Sequence, residues 1–181
     1  MTMSNHHKKR ILTVGVFDYF HYGHLRLFRQ IKDAYPDSHF IVAVQESEYI
    51  KKFKPEASVF YSTEVRCELI GELRCVDEVI TYQDALRIVQ TIDFDMFAVG
   101  EDQQHEGFKR AEEYCLMNGR EILRLHRTPN ISSSTIKKTL ESTNPRSTHA
   151  PNTQKANIRL VQVAEKLPKK EDDEKAGEGA E

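Results

Sequence analysis

Residues 10–17 and 40–44 are two nearly unbroken apolar runs of strand length, Ile11, Leu12, Val14, Val16 and Phe17 in the first and Ile41 to Val44 in the second. A strand without polar alternation is buried on both faces, and two such strands joined through a helix require a parallel sheet covered on both sides. Between them Leu25, Leu27, Phe28, Ile31 and Lys32 keep helical spacing until Pro36 ends the segment. This βαβ unit sets the class as α/β and excludes an all-helical bundle.

The alternation continues along the chain. Residues 62–74 read as a helix with Ser62 as N-cap, Glu64 in its first turn and Leu69, Ile70 and Leu73 on one face. Short strands are expected at 76–80, 96–100 and 121–125, with helices at 85–92 and 108–117, the second stopped near Gly119. Serines after Pro129 cap a last helix running to about Leu140. Five strands alternating with helices describe a doubly wound, Rossmann-like parallel sheet, which binds ligands at the carboxyl ends of its strands. Residues 46–61 read as a long basic loop containing Lys51, Lys52 and Lys54. A single domain is thus expected over 10–142. Beyond it, 143–181 is polar and charged and is expected to be largely disordered, apart from an island at 158–167 that reads as a short helix or an added strand, its period not deciding between them.

Composition narrows the function. With 26 basic and 28 acidic residues among 181, the chain has no general positive field for nucleic acid. Cys67, Cys75 and Cys115 form no close pair of the zinc-binding kind, and free thiols in a reducing compartment are expected. The opening residues are polar and basic, so neither a signal peptide nor a membrane span is expected, and the protein reads as cytoplasmic.

The stretch Gly15-Val16-Phe17-Asp18-Tyr19-Phe20-His21-Tyr22-Gly23-His24 leaves the first strand and enters the first helix. Backbone N–H groups at such a junction suit an anion, and His21 and His24, three apart, fall on one side of the helix. Gly23 between them lets a ligand approach the backbone. On position alone this is a phosphate-handling site, and Asp18 reads as a supporting residue. Of the other histidines, His6, His7, His39, His105 and His126 have no such setting.

Gly15-x-Phe17-Asp18-x-x-His21-x-Gly23-His24 resembles the HxGH signature of the cytidylyltransferase family of nucleotidyltransferases. Residues 127–137, beginning Arg127-Thr128-Pro129-Asn130-Ile131-Ser132-Ser133-Ser134, resemble its second signature, and 74–79 resemble its RxVDEV segment. The three matches occur in the family's order. Two positions depart from the pattern: Asn130 stands where glycine or glutamate is usual, and Glu101-Asp102-Gln103 replaces an Asp-Asp pair. The Gly100-x-Asp102-Gln103 turn also resembles archaeal-type FAD synthetases.

The resemblance implies that His21, His24, Lys54 and Arg127 act on the phosphates, with Lys51 and Lys52 as rivals of Lys54. It implies a nucleotide site drawn from Gly15, Val16, Phe17, Gly23, Arg74, Asp77, Gly100, Asp102, Thr128, Ile131, Ser132, Ser133 and Ser134. No protein-held metal is implied; magnesium comes with CTP. The branch most resembled joins CMP to sn-glycerol 3-phosphate, giving CDP-glycerol for a cell-surface polymer and releasing pyrophosphate. Choline or ethanolamine phosphate as acceptor, or adenylyl transfer, are the alternatives, and a non-catalytic nucleotide-binding module is a third. A homodimer is expected, with segment 74–79 near its interface.

Overall fold

The structure, a computed structural model, describes residues 8–53 and 57–143. Lys54, His6, His7 and all of the expected tail except Thr143 lie outside the described residues. The elements are β1 (Arg10–Gly15), α1 (Tyr22–Ala34), β2 (His39–Gln45), α2 (Ser47–Phe53), α3 (Thr63–Gly71) and β3 (Glu78–Tyr82), then α4 (Ala85–Thr91), β4 (Met96–Gly100), α5 (Glu106–Met117), β5 (Glu121–Leu125) and α6 (Ser133–Thr143). The strands form one all-parallel sheet in the order β3-β2-β1-β4-β5. The α/β, Rossmann-like class read from the alternation is the one observed. No helix among the described residues is long and apolar enough to cross a membrane.

Each face of the sheet builds its own core. Leu12, Val14, Ile41, Ala43, Phe97 and Val99 point to one face and pack on Ala85, Ile88 and Val89 of α4 and Ala111 and Cys115 of α5. Ile11, Phe40, Val42, Val44, Met96 and Ala98 point to the other, against Phe28 and Ile31 of α1 and Ile70 of α3. This two-sided burial explains the missing polar alternation. The one polar side chain inside β1, Thr13, is satisfied by donating to the Ala98 carbonyl at 2.8 Å. From β1 the chain runs outward through β2 to β3, then crosses to β4 and β5. The order therefore reverses between β1 and β4, and a cleft opens there at the carboxyl ends.

Several boundaries differ from expectation, each for a local reason. β1 stops at Gly15 because Phe17 takes a left-handed φ of 54° and folds its ring back over the strand end, where a Cβ on Gly15 would lie 2.8 Å from that ring. The basic stretch 46–61 is not all loop: it contains α2, whose Ile50 is buried. In α3, Ser62 is the N-cap as expected, accepting from the Val65 N–H, but the buried face is Arg66 and Ile70 while Leu69 faces outward. β3 begins at Glu78 rather than Val76, because Asp77 is used to accept from the Phe40 N–H at the start of β2. Gly119 follows the C-cap of α5 with a φ of 71°, as a helix stop there requires.

Candidate active site

The cleft at the β1/β4 switch is lined by His21, Gly23, His24 and Leu27 from α1 and its entry, Gly100, Asp102 and Gln103 at and beyond the end of β4, and Leu125, His126, Arg127, Thr128, Ile131 and Ser132 at and beyond the end of β5. The sequence signatures at 15–24 and 127–137 thus meet across one cavity.

His21 is the N-cap of α1. Its Nδ1 accepts from the Gly23 N–H at 3.0 Å, so the proton of the neutral ring sits on Nε2. The His24 ring stacks on it with centroids 3.9 Å apart. Phe20 stacks on His24 at 5.5 Å and Phe17 meets it edge-on at 5.3 Å. This apolar enclosure pushes the His24 pKa down to about 3, with the neighbouring His21 adding to the effect. Burial also lowers His21, helped by Arg127. Both rings are therefore neutral near pH 7. The Nδ1 of His24 is buried and unpartnered among the described residues. A bare ring nitrogen is cheaper to bury than an N–H, which puts its proton on Nε2 as well. The pair presents two neutral N–H donors rather than two cations.

The opposite wall is carried by charge. The Arg127 guanidinium pairs with Asp102, its backbone N–H donates to Glu101 at 3.0 Å, and the His126 ring lies 3.0 Å from the other Glu101 oxygen. These contacts, the Arg127 N–H first, hold the Glu101 carboxyl below its ordinary range. Asn130 takes a left-handed φ of 62°, a conformation in which asparagine is the best substitute for glycine, one of the two residues usual at this position. Ser132 then caps α6 by accepting from the Thr135 N–H at 3.1 Å. Thus Arg127, Thr128, Ile131 and Ser132 all reach the cleft.

Other expected site residues serve elsewhere. Phe17 lies beneath His24, and the Val16 carbonyl accepts from Arg66 at 2.7 Å, so both support the cleft without lining it. The Ser133 hydroxyl donates to the Asp18 carbonyl at 2.7 Å, tying α6 to the loop after β1, while Ser134 is exposed. Asp18 is buried and accepts from the Phe60 and Tyr61 N–H groups, with Lys137 3.3 Å away, which fits the supporting role read for it. Arg74 and Asp77 are not brought to the cleft. Asp77 sits at the amino edge of the sheet, bonded to Lys32 at 2.7 Å, because the segment before a parallel strand lies at the end away from the site. Neither residue of segment 74–79 that was expected at the nucleotide site is among those lining this cleft.

Three contributors fall outside the site residues expected from the sequence. His126 and Gln103 line the cleft, and Arg66 is 1% exposed and donates to Val16, Gln45, Tyr61, Ser47 and Thr63. For Arg66 a signal did exist, its i,i+4 spacing to the buried Ile70.

Two expectations follow from this geometry. A Cβ on Gly23 would lie 2.8 Å from His21 Cε1 and 3.2 Å from Ile131 Cγ2. Gly23→Ala must therefore displace the His21 ring, and is expected to weaken nucleotide binding roughly tenfold or more while melting within about 5 °C of wild type; isothermal titration with CTP and ATP beside a thermal melt measures both. The second concerns pH. The folded His24 pKa is depressed to about 3 from the ordinary 6.5, so between those values the unfolded chain binds a proton that the folded chain does not. Stability is fully present above 6.5 and falls by about 1.4 kcal/mol per pH unit below it. Urea midpoints at pH 7 and pH 5 are expected to show this loss, and His24→Phe, which keeps the stack, is expected to reduce it.

The geometry has counterparts in known proteins. The cytidylyltransferase-like family model matches residues 12–139. The glycerol-3-phosphate cytidylyltransferase of Bacillus spizizenii is 31% identical over 137 residues, covering 74% of this chain and 98% of that protein. The FAD synthase of Korarchaeum cryptofilum is 30% identical over 131 residues, 71% of this chain and 88% of that one. Among solved structures, the lipopolysaccharide core biosynthesis protein of Thermoplasma volcanium matches with a TM-score of 0.57 at 22% identity, covering 67% of this chain and 99% of that one, a likeness of fold alone. With the signatures at 15–24 and 127–137 converging on one cleft and the family model matching part or all of each of the five strands, the chain belongs to the cytidylyltransferase-like family of nucleotidyltransferases.

Proposed function

We propose that the protein transfers CMP from CTP to sn-glycerol 3-phosphate, forming CDP-glycerol and pyrophosphate. The observation that carries this is the stacked His21–His24 pair facing Arg127 across the switch-point cleft. A phosphate oxygen of the acceptor attacks the α-phosphorus, the bond to the β-phosphate oxygen breaks, and pyrophosphate leaves. No covalent enzyme intermediate is needed; positioning and charge stabilisation carry such transfers. The Nε2–H groups of His21 and His24 donate to the α-phosphate as its oxygens gain charge, Arg127 neutralises the departing pyrophosphate, and the N-terminus of α6 behind Ser132 adds N–H donors.

Among the described residues no cluster of three or more His, Cys, Asp or Glu side chains can hold a metal. Glu101 and Asp102, the acids at the cleft, are already engaged by His126 and Arg127. On this reading magnesium enters with the substrate as its triphosphate complex, held by phosphate oxygens and water.

Support for glycerol 3-phosphate comes from the relatives of that name, one of them matched over 98% of its length. A cationic acceptor is disfavoured at the Tyr19, Phe60 and Tyr61 cluster, since the Lys137 ammonium already lies 5.1 Å from the Tyr19 ring centroid. The same reading places the enzyme in the cytoplasm as a homodimer.

The test is pyrophosphate release with CTP or ATP against glycerol 3-phosphate, choline phosphate, ethanolamine phosphate and FMN. The expected pair is CTP with glycerol 3-phosphate. Release with ATP and FMN would instead make the protein an adenylyltransferase that forms FAD, in line with the relatives named FAD synthase, and nucleotide binding without release would make it a non-catalytic module.

A further inference from the structure

The edge strand β5 ends in an unusual partnership. In a parallel strand successive residues turn their N–H and C=O groups to opposite sides. The Leu125 carbonyl faces β4, accepting from the Glu101 N–H at 3.0 Å, so the N–H and C=O of the next residue, His126, face the open edge of the sheet. Unpaired edge groups normally go to water or to another strand. Here the side-chain amide of Gln30 takes both: its Oε1 accepts from the His126 N–H at 3.0 Å and its Nε2 donates to the His126 carbonyl at 3.0 Å. One glutamine thus acts as a one-residue neighbouring strand.

Gln30 stands on α1, the helix that begins at the two histidines. His24, Leu27 and Gln30 are successive i,i+3 neighbours, and the first two line the cleft. On the other side of the bridge, His126 is followed directly by Arg127, whose N–H and guanidinium are held by Glu101 and Asp102. The bonds from Gln30 are the direct side-chain link, among the described residues, between α1 and the backbone of the strap that presents Arg127. Nothing else about Gln30 asks for an amide: its remaining contact is a long one of 3.4 Å to the Arg26 carbonyl.

We infer that Gln30 is a positioning residue which locks the His126–Arg127 strap to α1, setting the separation between the histidine wall and the arginine wall. The inference rests on the nucleotidyltransferase reading, because a fixed separation matters when both walls must grip one triphosphate. A misplacement of about 1 Å at such a site costs on the order of 100-fold, so a two-point clamp has leverage out of proportion to its two hydrogen bonds. The amide is also chemically specific. Glutamate can accept from the His126 N–H but turns a second oxygen toward the His126 carbonyl, so it is a worse clamp than glutamine despite its equal size.

The experiment is a double-mutant cycle on the full chain, with CTP and ATP affinity measured by calorimetry and kcat/KM by pyrophosphate release. Gln30→Ala is expected to lower nucleotide affinity or kcat/KM at least tenfold with a melting temperature within about 4 °C of wild type, and Gln30→Glu to be no better. In an Arg127→Ala background the same Gln30→Ala change is expected to cost less than about threefold, since the group it positions is gone. Equal losses in both backgrounds, or full activity and affinity in Gln30→Glu, overturn the positioning role while leaving the functional reading standing. Wild-type protein that binds neither nucleotide overturns both.

Discussion

His24→Ala is expected to reduce turnover by about 10²–10³-fold, the usual loss when one preorganised donor to a developing oxyanion is removed. The enclosure of His24 by His21, Phe17 and Phe20 makes it such a donor: it is desolvated, neutral and fixed in place before substrate arrives. The effect should fall mainly on kcat, because a neutral N–H gains most as negative charge develops on the α-phosphate. The protein should remain folded, since the core on either side of the sheet does not depend on the ring, and a melt within about 5 °C of wild type is expected. Steady-state kinetics with the best nucleotide–acceptor pair checks this, and turnover within about threefold of wild type would remove His24 from the reaction.

The largest expected effect on stability lies at Arg66. Its guanidinium is fully enclosed and donates to three backbone carbonyls, those of Val16, Gln45 and Tyr61, and to the Ser47 and Thr63 hydroxyls. The ends of β1 and β2 and the starts of α2 and α3 converge on one side chain. Arg66→Met keeps most of the stem volume but leaves those acceptors buried without donors. Unsatisfied buried groups cost about 1–3 kcal/mol each before relaxation, and removing one member of a buried polar cluster commonly costs about 3–5 kcal/mol in all. A fall in melting temperature of roughly 10 °C or more is expected for a domain of this size. Arg66→Lys should recover only part of it, because one ammonium cannot reach groups arranged around a planar fork. A shift of less than about 3 °C in Arg66→Met would show that water replaces the guanidinium.

The contrast between these two residues shows what a sequence discloses. His24 was readable because its function follows from local spacing at a strand-to-helix junction. Arg66 was not, because an arginine on an amphipathic helix is by default solvent-facing, and its burial is imposed by carbonyls that arrive from β1 and β2. The same default placed Leu69 inside α3, whereas the structure turns it out and Arg66 in. The strands at 96–100 and 121–125 were legible to the residue, since β4 is fully buried and β5 is bounded by Gly119 and His126. α2 was hidden by its short length and by lysines that read as loop. His126 and Gln30 escaped notice for a different reason. Their bond runs between a side-chain amide and a backbone edge, and that edge exists only once β5 is known to be outermost. Asp77 is the reverse case: a motif suggested the cleft, but parallel topology delivers the start of β3 to the far rim.

That far rim has a use of its own. Lys32–Asp77, His39–Glu78, Arg10–Glu78 and Lys9–Glu121 stitch the amino edge of the sheet, at the opposite end from the cleft. Because the strands are parallel, the Arg66 cluster sits at the carboxyl rim with the cleft, whereas the amino rim carries these ion pairs and is remote from the cleft. Substitutions that harden the amino rim can be accumulated without altering the nucleotide cleft. A toughened background of that kind would tolerate destabilising changes at the cleft lining, Gln103 and His126 among them, so the two rims can be varied independently.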